Sequence, residues 1–190
     1  RLESEECQPI ISPRSPSNSF INITFMKKPL STQRKLLKPY KQSLKISKTQ
    51  YDIAIGCLLG DASIQTQDKG KTYRLKFQQS ENLHRDYLFN LYEVFNEWCL
   101  SPPQFNSGRK IWSFQTISHI DFKKLAELFI LNESGVECKK HIKPLLVEKY
   151  LTPLGLAYWF MDDGGKSSYN KDYVRKGFSF NTHGFQEAEV

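Results

Sequence analysis

Two matched segments, each a run of apolar residues that ends in aspartate, carry the residue types best suited to chemistry. They read AIGCLLGDA at 54–62 and LAYWFMDDG at 156–164, which aligns Asp61 with Asp163. Each run is long enough for a short buried helix, and the C-terminus of a helix carries a partial negative charge. An aspartate placed there costs roughly 0.3–1 kcal/mol. This unfavourable placement, made twice, predicts a positively charged partner.

The two helices are expected to pack side by side and to bring their aspartates together. Gly56 in the first segment and Ala157 in the second are small enough to let the two backbones approach closely. Both helices then end at the same place, where Asp61 meets Asp163. Two adjacent carboxylates repel each other, and a divalent cation between them reverses the sign of that interaction.

The predicted cation is Mg²⁺, because hard oxygen ligands suit it. Its predicted protein ligands are Asp61 and Asp163, together with backbone carbonyls at the helix ends, which places Gly60 and Asp162 in the metal site. For a single segment of this kind, a surface helix cap with glycine is the commoner explanation. Two matched copies, each followed by a polar-faced hairpin, favour the metal site.

The elements that position these aspartates form an internal repeat. The patterns of apolar residues predict the order α-ββ-α-ββ-α, followed by α-ββ where a second copy begins. In the clearest strand, Tyr73, Leu75 and Phe77 alternate with polar side chains, so one face is apolar and the other is basic and polar. The predicted elements include helices at 35–44, 51–60, 82–99 and 153–162, and hairpins at 63–80, with Gly70 in its turn, and at 166–183.

The charge balance points to an anionic partner. Lys and Arg number 27 against 20 Asp and Glu, which gives a net charge of +7. Nucleic acid is the first candidate and an acidic membrane surface the second. No apolar run approaches the roughly 20 residues that cross a bilayer, so no membrane span is predicted. The cysteines and histidines fit no zinc-binding spacing, which favours a reduced intracellular or organellar protein without a structural metal.

Three regions are predicted along the chain. Residues 1–30 are rich in Ser, Pro and Glu and are expected to form a disordered or loosely packed lead-in. Residues 31–150 form the first copy of the repeat, and their basic N-terminal arm is either a solvated charged face or a phosphate contact. Residues 151–190 begin the second copy. Because the chain starts at Arg1 and stops within this copy, we expect it to be a piece of a longer protein or a processed product.

Several stretches together resemble the LAGLIDADG homing endonucleases, in particular the monomeric members encoded in mitochondrial large-rRNA introns. The stretches are KLLKPYKQSL, GCLLGDASI, GKTYRLKF, LSPP, WSFQT, KLAELFI and YLTPLGLAYWFMDDGGK with YNK after it, and they cover roughly residues 31–190. The resemblance implies an α+β fold of two pseudo-symmetric αββαββα halves that meet at the motif helices. It also implies saddle-shaped antiparallel sheets that lie in the DNA major groove, with the second half incomplete here.

The resemblance further implies an activity, which is intron homing by Mg²⁺-dependent cleavage of both strands at a long asymmetric DNA site. Asp61 and Asp163, one from each half, are the implied catalytic residues and metal ligands. A lysine near the site is implied as well: the match points to Lys140, with Lys139 less favoured, and the alternative is that Lys140 is a solvated loop residue. The implied protein is a monomer of the mitochondrion.

The polar faces of the predicted sheets are expected to contact DNA. Glutamine and arginine side chains can form paired hydrogen bonds with adenine and guanine edges. Each is also an ordinary residue for an exposed strand, so which of them read bases is left open. The candidate DNA-binding residues are Gln65, Gln67, Arg74, Lys76, Gln78, Arg109, Lys110 and Lys166.

Two other functions are compatible with the sequence. Intron maturases use the same fold, so intron RNA is an alternative partner, and a catalytically inactive DNA-binding remnant is the other alternative. The retained Asp61 and Asp163 favour an endonuclease over a remnant, whereas basic sheets suit DNA and RNA equally. Because the second half is only begun, we expect the 190-residue chain by itself to bind DNA weakly and to cleave it poorly.

Overall fold

The structure is a computed structural model that describes residues 30–129, 142–169, 175–182 and 185. The chain divides into two units, residues 1–39 and residues 40–190. Both motif segments belong to the second unit. The predicted lead-in at 1–30 lies almost entirely outside the described residues, so its character stays a prediction.

Within the described residues, the helices and strands follow the predicted order. The helices are α1 (Leu30–Ser43), α2 (Lys48–Leu59), α3 (Glu81–Phe95), α4 (Lys123–Phe129), α5 (Leu146–Tyr150) and α6 (Pro153–Asp163). The strands are β1 (Ser63–Thr66), β2 (Tyr73–Ser80), β3 (Gln104–Asn106), β4 (Ile111–Gln115), β5 (Gly164–Tyr169) and β6 (Arg175–Phe180). The helix predicted at 82–99 is divided between α3 and a 3₁₀ turn at Asn96–Trp98. The other predicted helices and both hairpins are confirmed.

Strands β1 to β4 form one antiparallel sheet in the order β1-β2-β4-β3, and β5 pairs with β6 in a separate hairpin. Leu75 and Phe77 of β2 are buried, and so is Phe114 of β4, which lies directly opposite Phe77. Residues that are directly opposite in antiparallel strands place their side chains on the same face. The predicted division of this sheet into an apolar face and a polar face is therefore confirmed.

The turn between β1 and β2 fixes the pairing of these strands. Gly70 has a φ of +82°, in the left-handed region that glycine occupies without steric cost. Asp68 accepts hydrogen bonds from Thr72 N at 2.8 Å and from Thr72 Oγ1 at 2.6 Å. These bonds to Thr72 lower the pKa of Asp68 to about 2. The predicted turn at Gly70 is confirmed, and side-chain hydrogen bonds close it.

Helix α2 is the most deeply buried helix of the described residues. It starts with a capping box, in which Ser47 Oγ accepts from Gln50 N at 3.1 Å and Gln50 Oε1 accepts from Ser47 N at 3.0 Å. Every residue from Ile53 to Leu59 is buried. The helix belongs to the same core cluster as the apolar face of the sheet and also packs against α6. This burial on all sides explains why the segment lacks a polar face.

Helices α2 and α6 contact each other through glycines. A Cβ atom added to Gly56 would lie 2.1 Å from the carbonyl oxygen of Gly155, and one added to Gly155 would lie 2.9 Å from that of Asp52. Backbones this close leave no room for a larger side chain. The sequence-based assignment of Ala157 to this contact is wrong, because Ala157 is exposed. Two residues along a helix correspond to a rotation of about 200°, which turns Ala157 away from Gly155.

Gly56→Ala is expected to lower the free energy of unfolding by about 3 kcal/mol or more, because the new Cβ would meet backbone atoms that cannot rotate away. Urea denaturation measures the change. Gly108→Ala is the matched control, since its Cβ would lie 3.5 Å from Asn106 Oδ1 in an exposed turn. The control is expected to change stability by less than about 0.5 kcal/mol. Equal, small effects of the two substitutions would contradict the glycine contact.

Candidate active site

The C-terminal ends of α2 and α6 meet at a cluster of carboxylate and amide groups. The backbone N–H of Asp61 donates to Asp162 Oδ2 at 3.3 Å. The Nε2 group of Gln79 donates to Asp61 Oδ2 and to Asp162 Oδ1, both at 3.1 Å. One amide from the sheet therefore bridges two carboxylates that belong to different motif segments.

Gly60 and Asp162 occupy equivalent positions in the two segments and face each other across the helix contact. A Cβ atom on Gly60 would lie 2.4 Å from the Cβ of Asp162 and 2.5 Å from its Oδ2. The space between the helices therefore holds one side chain and not two. This explains why the alignment of the segments pairs a glycine with an aspartate.

The environment of Asp162 disfavours its negative charge. Burial raises the pKa of its carboxyl, the charges of Asp61 and Asp163 raise it further, and the resulting pKa is about 7. Hydrogen bonds from the Asp61 N–H and from the Tyr87 hydroxyl act in the opposite direction. Burial also raises the pKa of Tyr87 far above its ordinary value. The Tyr87 hydroxyl therefore keeps its proton and can donate a hydrogen bond to Asp162.

Asp163 ends α6. Its backbone carbonyl accepts from Asn181 N at 3.1 Å, which connects the helix end to the residue that follows β6. Because the charge of Asp163 also acts on Asp162, carboxylates of three residues influence this end of the helix pair. The separation between the Asp61 and Asp163 carboxylates, on which the predicted metal site depends, stays a prediction.

The polar face of the sheet carries several of the predicted DNA-binding residues. In β2, Arg74, Lys76 and Gln78 alternate with buried side chains. Gln65 of β1 lies directly opposite Arg74. The structure thus brings these four residues, which come from two strands, to one surface.

The remaining predicted DNA-binding residues lie outside this face. Gln67 follows β1 and is exposed, and Arg109 and Lys110 are exposed in the turn between β3 and β4. Lys166 lies in β5 opposite Phe178. DNA contacts by these four residues stay predictions, because no part of the structure tests them.

The predicted catalytic lysine comes from the stretch of sequence between α4 and α5. Lys140 and its alternative Lys139 lie outside the described residues. The nearest described residue on the C-terminal side is Ile142, which is buried. The assignment of Lys140 to the site therefore stays a prediction.

Some residues of the site were missed at the level of sequence. Gln79 lies on the apolar face of β2, in alternation with Leu75 and Phe77. No local pattern in the sequence connects it to either aspartate. On the polar face, Gln115 lies opposite Lys76, and Ser113 lies opposite Gln78. The alternation of the sequence IWSFQ would have indicated these two. Gln104, opposite Ser113, could be found only from the register of β3.

Comparison with known proteins identifies the family of the chain. The LAGLIDADG DNA endonuclease family matches residues 51–190. The chain belongs to this family. The family inferred from the two motifs is thereby confirmed, and the paired motif helices of this LAGLIDADG chain are α2 and α6.

Individual relatives support the same assignment. Probable intron-encoded endonuclease 1 of Wickerhamomyces canadensis is 39% identical over 169 residues, which cover 85% of this chain and 70% of that protein. Cytochrome b mRNA maturase bI2 of Debaryomyces hansenii is 31% identical over 146 residues, which cover 72% of this chain and 53% of the maturase.

A solved structure matches the LAGLIDADG fold of this chain. It is the homing endonuclease I-WcaI bound to its DNA recognition sequence, with a TM-score of 0.68 and 38% sequence identity. The match covers 82% of this chain and 69% of that chain. The α+β fold implied by the two motifs is confirmed by this likeness.

Two further features of the described part of this LAGLIDADG chain concern a membrane and a metal. No helix in that part of the chain is long and apolar enough to cross a membrane. Nor do three or more Asp, Glu, His or Cys side chains there form a group arranged to hold a metal ion.

The raised pKa of Asp162 predicts how stability depends on pH when divalent cations are removed with EDTA. The folded state retains the Asp162 proton up to a pH of about 7, whereas an ordinary aspartate loses it near 3.8. The folded state therefore binds more protons between these values, and the Asp162 contribution to stability falls as the pH rises through them. Asp162→Asn cannot ionise, so the variant is expected to gain stability relative to the parent protein over this range.

The expected gain is at most on the order of 4 kcal/mol at pH 8, because each pKa unit corresponds to about 1.4 kcal/mol. Urea denaturation of both proteins at pH 4.5 and pH 8 measures the difference. A difference between variant and parent that is the same at both pH values would contradict the raised pKa.

Proposed function

We propose that this protein is a site-specific double-strand DNA endonuclease of the homing type, which hydrolyses phosphodiester bonds with Mg²⁺ and with Asp61 and Asp163 as catalytic residues. One observation carries the proposal: both motif helices of a LAGLIDADG protein end at one place, where carboxylates from the two segments share the amide of Gln79. Carboxylates that are held together against their mutual repulsion are typical of a functional site.

The acidic cluster suits Mg²⁺. This ion typically takes one or two carboxylates and completes its oxygen ligands with waters and substrate phosphates. Asp61 and Asp163 would hold it, with the backbone carbonyls of Gly60 and Asp162 as further oxygen ligands. Burial and the neighbouring charges of Asp61 and Asp163 raise the pKa of Asp162, and a bound cation would neutralise those charges. When bound, Mg²⁺ supplies an activated water and stabilises negative charge on the leaving oxygen.

The side chains around the cluster orient the acidic groups and bind the substrate. Gln79 and Tyr87 hold Asp162 by hydrogen bonds, so the helix ends are fixed relative to the sheet. The polar face of the sheet supplies contacts to base edges and phosphates, since the major groove of DNA admits paired β-strands. Lys140 is proposed to add positive charge near the scissile phosphate.

The proposed substrate is double-stranded DNA with a long asymmetric target site. The two motif segments differ in sequence within one chain, so each half would contact a different half-site and a monomer would suffice. We place the protein in the mitochondrion, because its relatives include an intron-encoded endonuclease and a cytochrome b mRNA maturase.

Intron RNA is the second candidate partner. A relative that is 31% identical is named as an mRNA maturase, and a basic polar surface suits either nucleic acid. The endonuclease is favoured because the chain retains Asp61 and Asp163. Its similarity to the intron-encoded endonuclease is also higher, at 39%.

Asp61→Asn and Asp163→Asn are each expected to slow cleavage of a plasmid that carries the intron-less exon junction by about 100-fold or more. The affinity for the same DNA is expected to stay nearly unchanged, because it comes mainly from phosphate and base contacts along the sheets. Gel electrophoresis measures cleavage in Mg²⁺, and fluorescence anisotropy in EDTA measures binding.

Asp86→Asn is the control, because Asp86 is exposed on α3; it is expected to cleave like the parent protein. Removal of Mg²⁺ with EDTA is expected to stop cleavage by both. Loss of binding together with loss of cleavage would mean that Asp61 and Asp163 are structural. Tighter binding of the intron RNA than of the DNA target would favour the maturase function.

A further inference from the structure

Three side chains on or next to the polar face are already joined by hydrogen bonds. Arg74 Nη2 donates to Gln65 Oε1 at 3.2 Å. The side-chain oxygen of Gln67 accepts from Arg74 Nη1 and Nη2, each at 3.2 Å. The amide orientation of Gln67 is assigned from these contacts, because a guanidinium has only donors and an amide nitrogen would oppose it. We refer to Gln65, Gln67 and Arg74 as the guanidinium cluster.

The guanidinium cluster offers a ligand mainly hydrogen-bond donors. Both glutamine oxygens are turned towards Arg74: the oxygen of Gln67 accepts two of its bonds and Gln65 Oε1 accepts one, which leaves a single acceptor site beside the two amide nitrogens. Arginine itself has no acceptor. Arg74 Nε is buried and has no partner among the described residues. The donors left to face outwards are therefore the remaining N–H of Nη1 and the two amide groups.

The four bases differ in what they present to such a surface. In the major groove, guanine presents two acceptors, N7 and O6. Adenine and cytosine present an amino group, and thymine presents one acceptor beside a methyl group. An amino group against this donor-rich surface leaves donors unpaired on both sides, which is costly. Guanine is therefore the base that fits.

The position of the cluster favours a base edge over a phosphate. Gln65 and Arg74 lie directly opposite each other within the paired part of β1 and β2, not in a turn. The adjacent turn carries Lys69 and Lys71, both exposed, which suit the phosphates. Strands that lie along the major groove direct side chains from their paired region towards the bases.

We propose that the guanidinium cluster reads one guanine of the target duplex through N7 and O6, with Arg74 as the specificity-determining residue. Gln65 and Gln67 position the guanidinium and add their amide donors. The inference rests on the proposed DNA-binding function. In this arrangement the paired contact of glutamine with adenine is not available to Gln67, because Arg74 occupies both lone pairs of its oxygen. The oxygen of Gln65 is turned towards Arg74, which disfavours the same contact there.

Selection from a randomised duplex library tests the proposal with the full chain in EDTA, which permits binding without cleavage. The parent protein is expected to enrich guanine at one position. Arg74→Gln and Gln65→Leu are each expected to reduce the preference for guanine over adenine at that position by about 5- to 150-fold. The preferences at other positions are expected to stay the same. Ser80→Ala is the matched control, because Ser80 is exposed at the end of the same strand and on the same face; it is expected to leave the preference for that guanine unchanged.

Modified bases test the same contact with the unmodified protein, so the result does not depend on how a variant folds. Inosine at the enriched position keeps N7 and O6 and lacks only the amino group of the minor groove. It is expected to bind like guanine. 7-Deazaguanine lacks N7 and is expected to bind at least about 5-fold more weakly. Both duplexes are compared by fluorescence anisotropy at one salt concentration.

Two results would overturn the inference while leaving the proposed function intact. One is an enriched target in which no guanine depends on Arg74. The other is an Arg74→Gln variant that binds all sequences more weakly by the same factor. Its slope of log affinity against log salt concentration would fall by about one, as expected for a lost phosphate contact. A chain that enriches no duplex sequence and cleaves no DNA in Mg²⁺ would instead overturn the proposed function, and the guanine contact with it.

Discussion

The close contact between α2 and α6 is the constraint on which the rest of the structure depends. At Gly56 and Gly155 the backbones are so near that no Cβ atom fits between them. The C-terminal ends of the two helices also meet, where Gly60 lies beside Asp162. Between these ends lies the side chain of Asp162, and Gly60 opposite it has no side chain. Backbone packing, more than any property of the aspartates themselves, thus brings acidic groups of both segments together.

This arrangement costs stability at the helix ends. Burial raises the pKa of Asp162 to about 7, and the charges of Asp61 and Asp163 contribute to the rise. The two helix dipoles also present negative charge at this place. Hydrogen bonds from Gln79, Tyr87 and the Asp61 backbone offset part of this cost without removing it. The cation proposed for these helix ends would offset the remaining cost.

The sheet connects the acidic cluster with the polar face that is proposed to contact DNA. Its apolar face is part of the core. Gln79 belongs to the face that packs inwards, yet its amide reaches the carboxylates. Gln78, the residue before Gln79 in β2, lies on the polar face. Alternation along a single strand therefore directs one residue to the helix ends and its neighbour to the polar face.

The sequence by itself determined the types and order of the elements, because the alternation of strands and the burial of helices are local patterns. It also determined the matched aspartates, since both copies lie in one chain. Only the tertiary structure decided which small residue of α6 meets Gly56, because that depends on the rotation of the helix about its axis. It alone brought Gln79 to Asp162 and turned the oxygen of Gln65 towards Arg74. Such contacts join residues far apart in the chain or fix the orientation of an amide, and no periodic pattern encodes either.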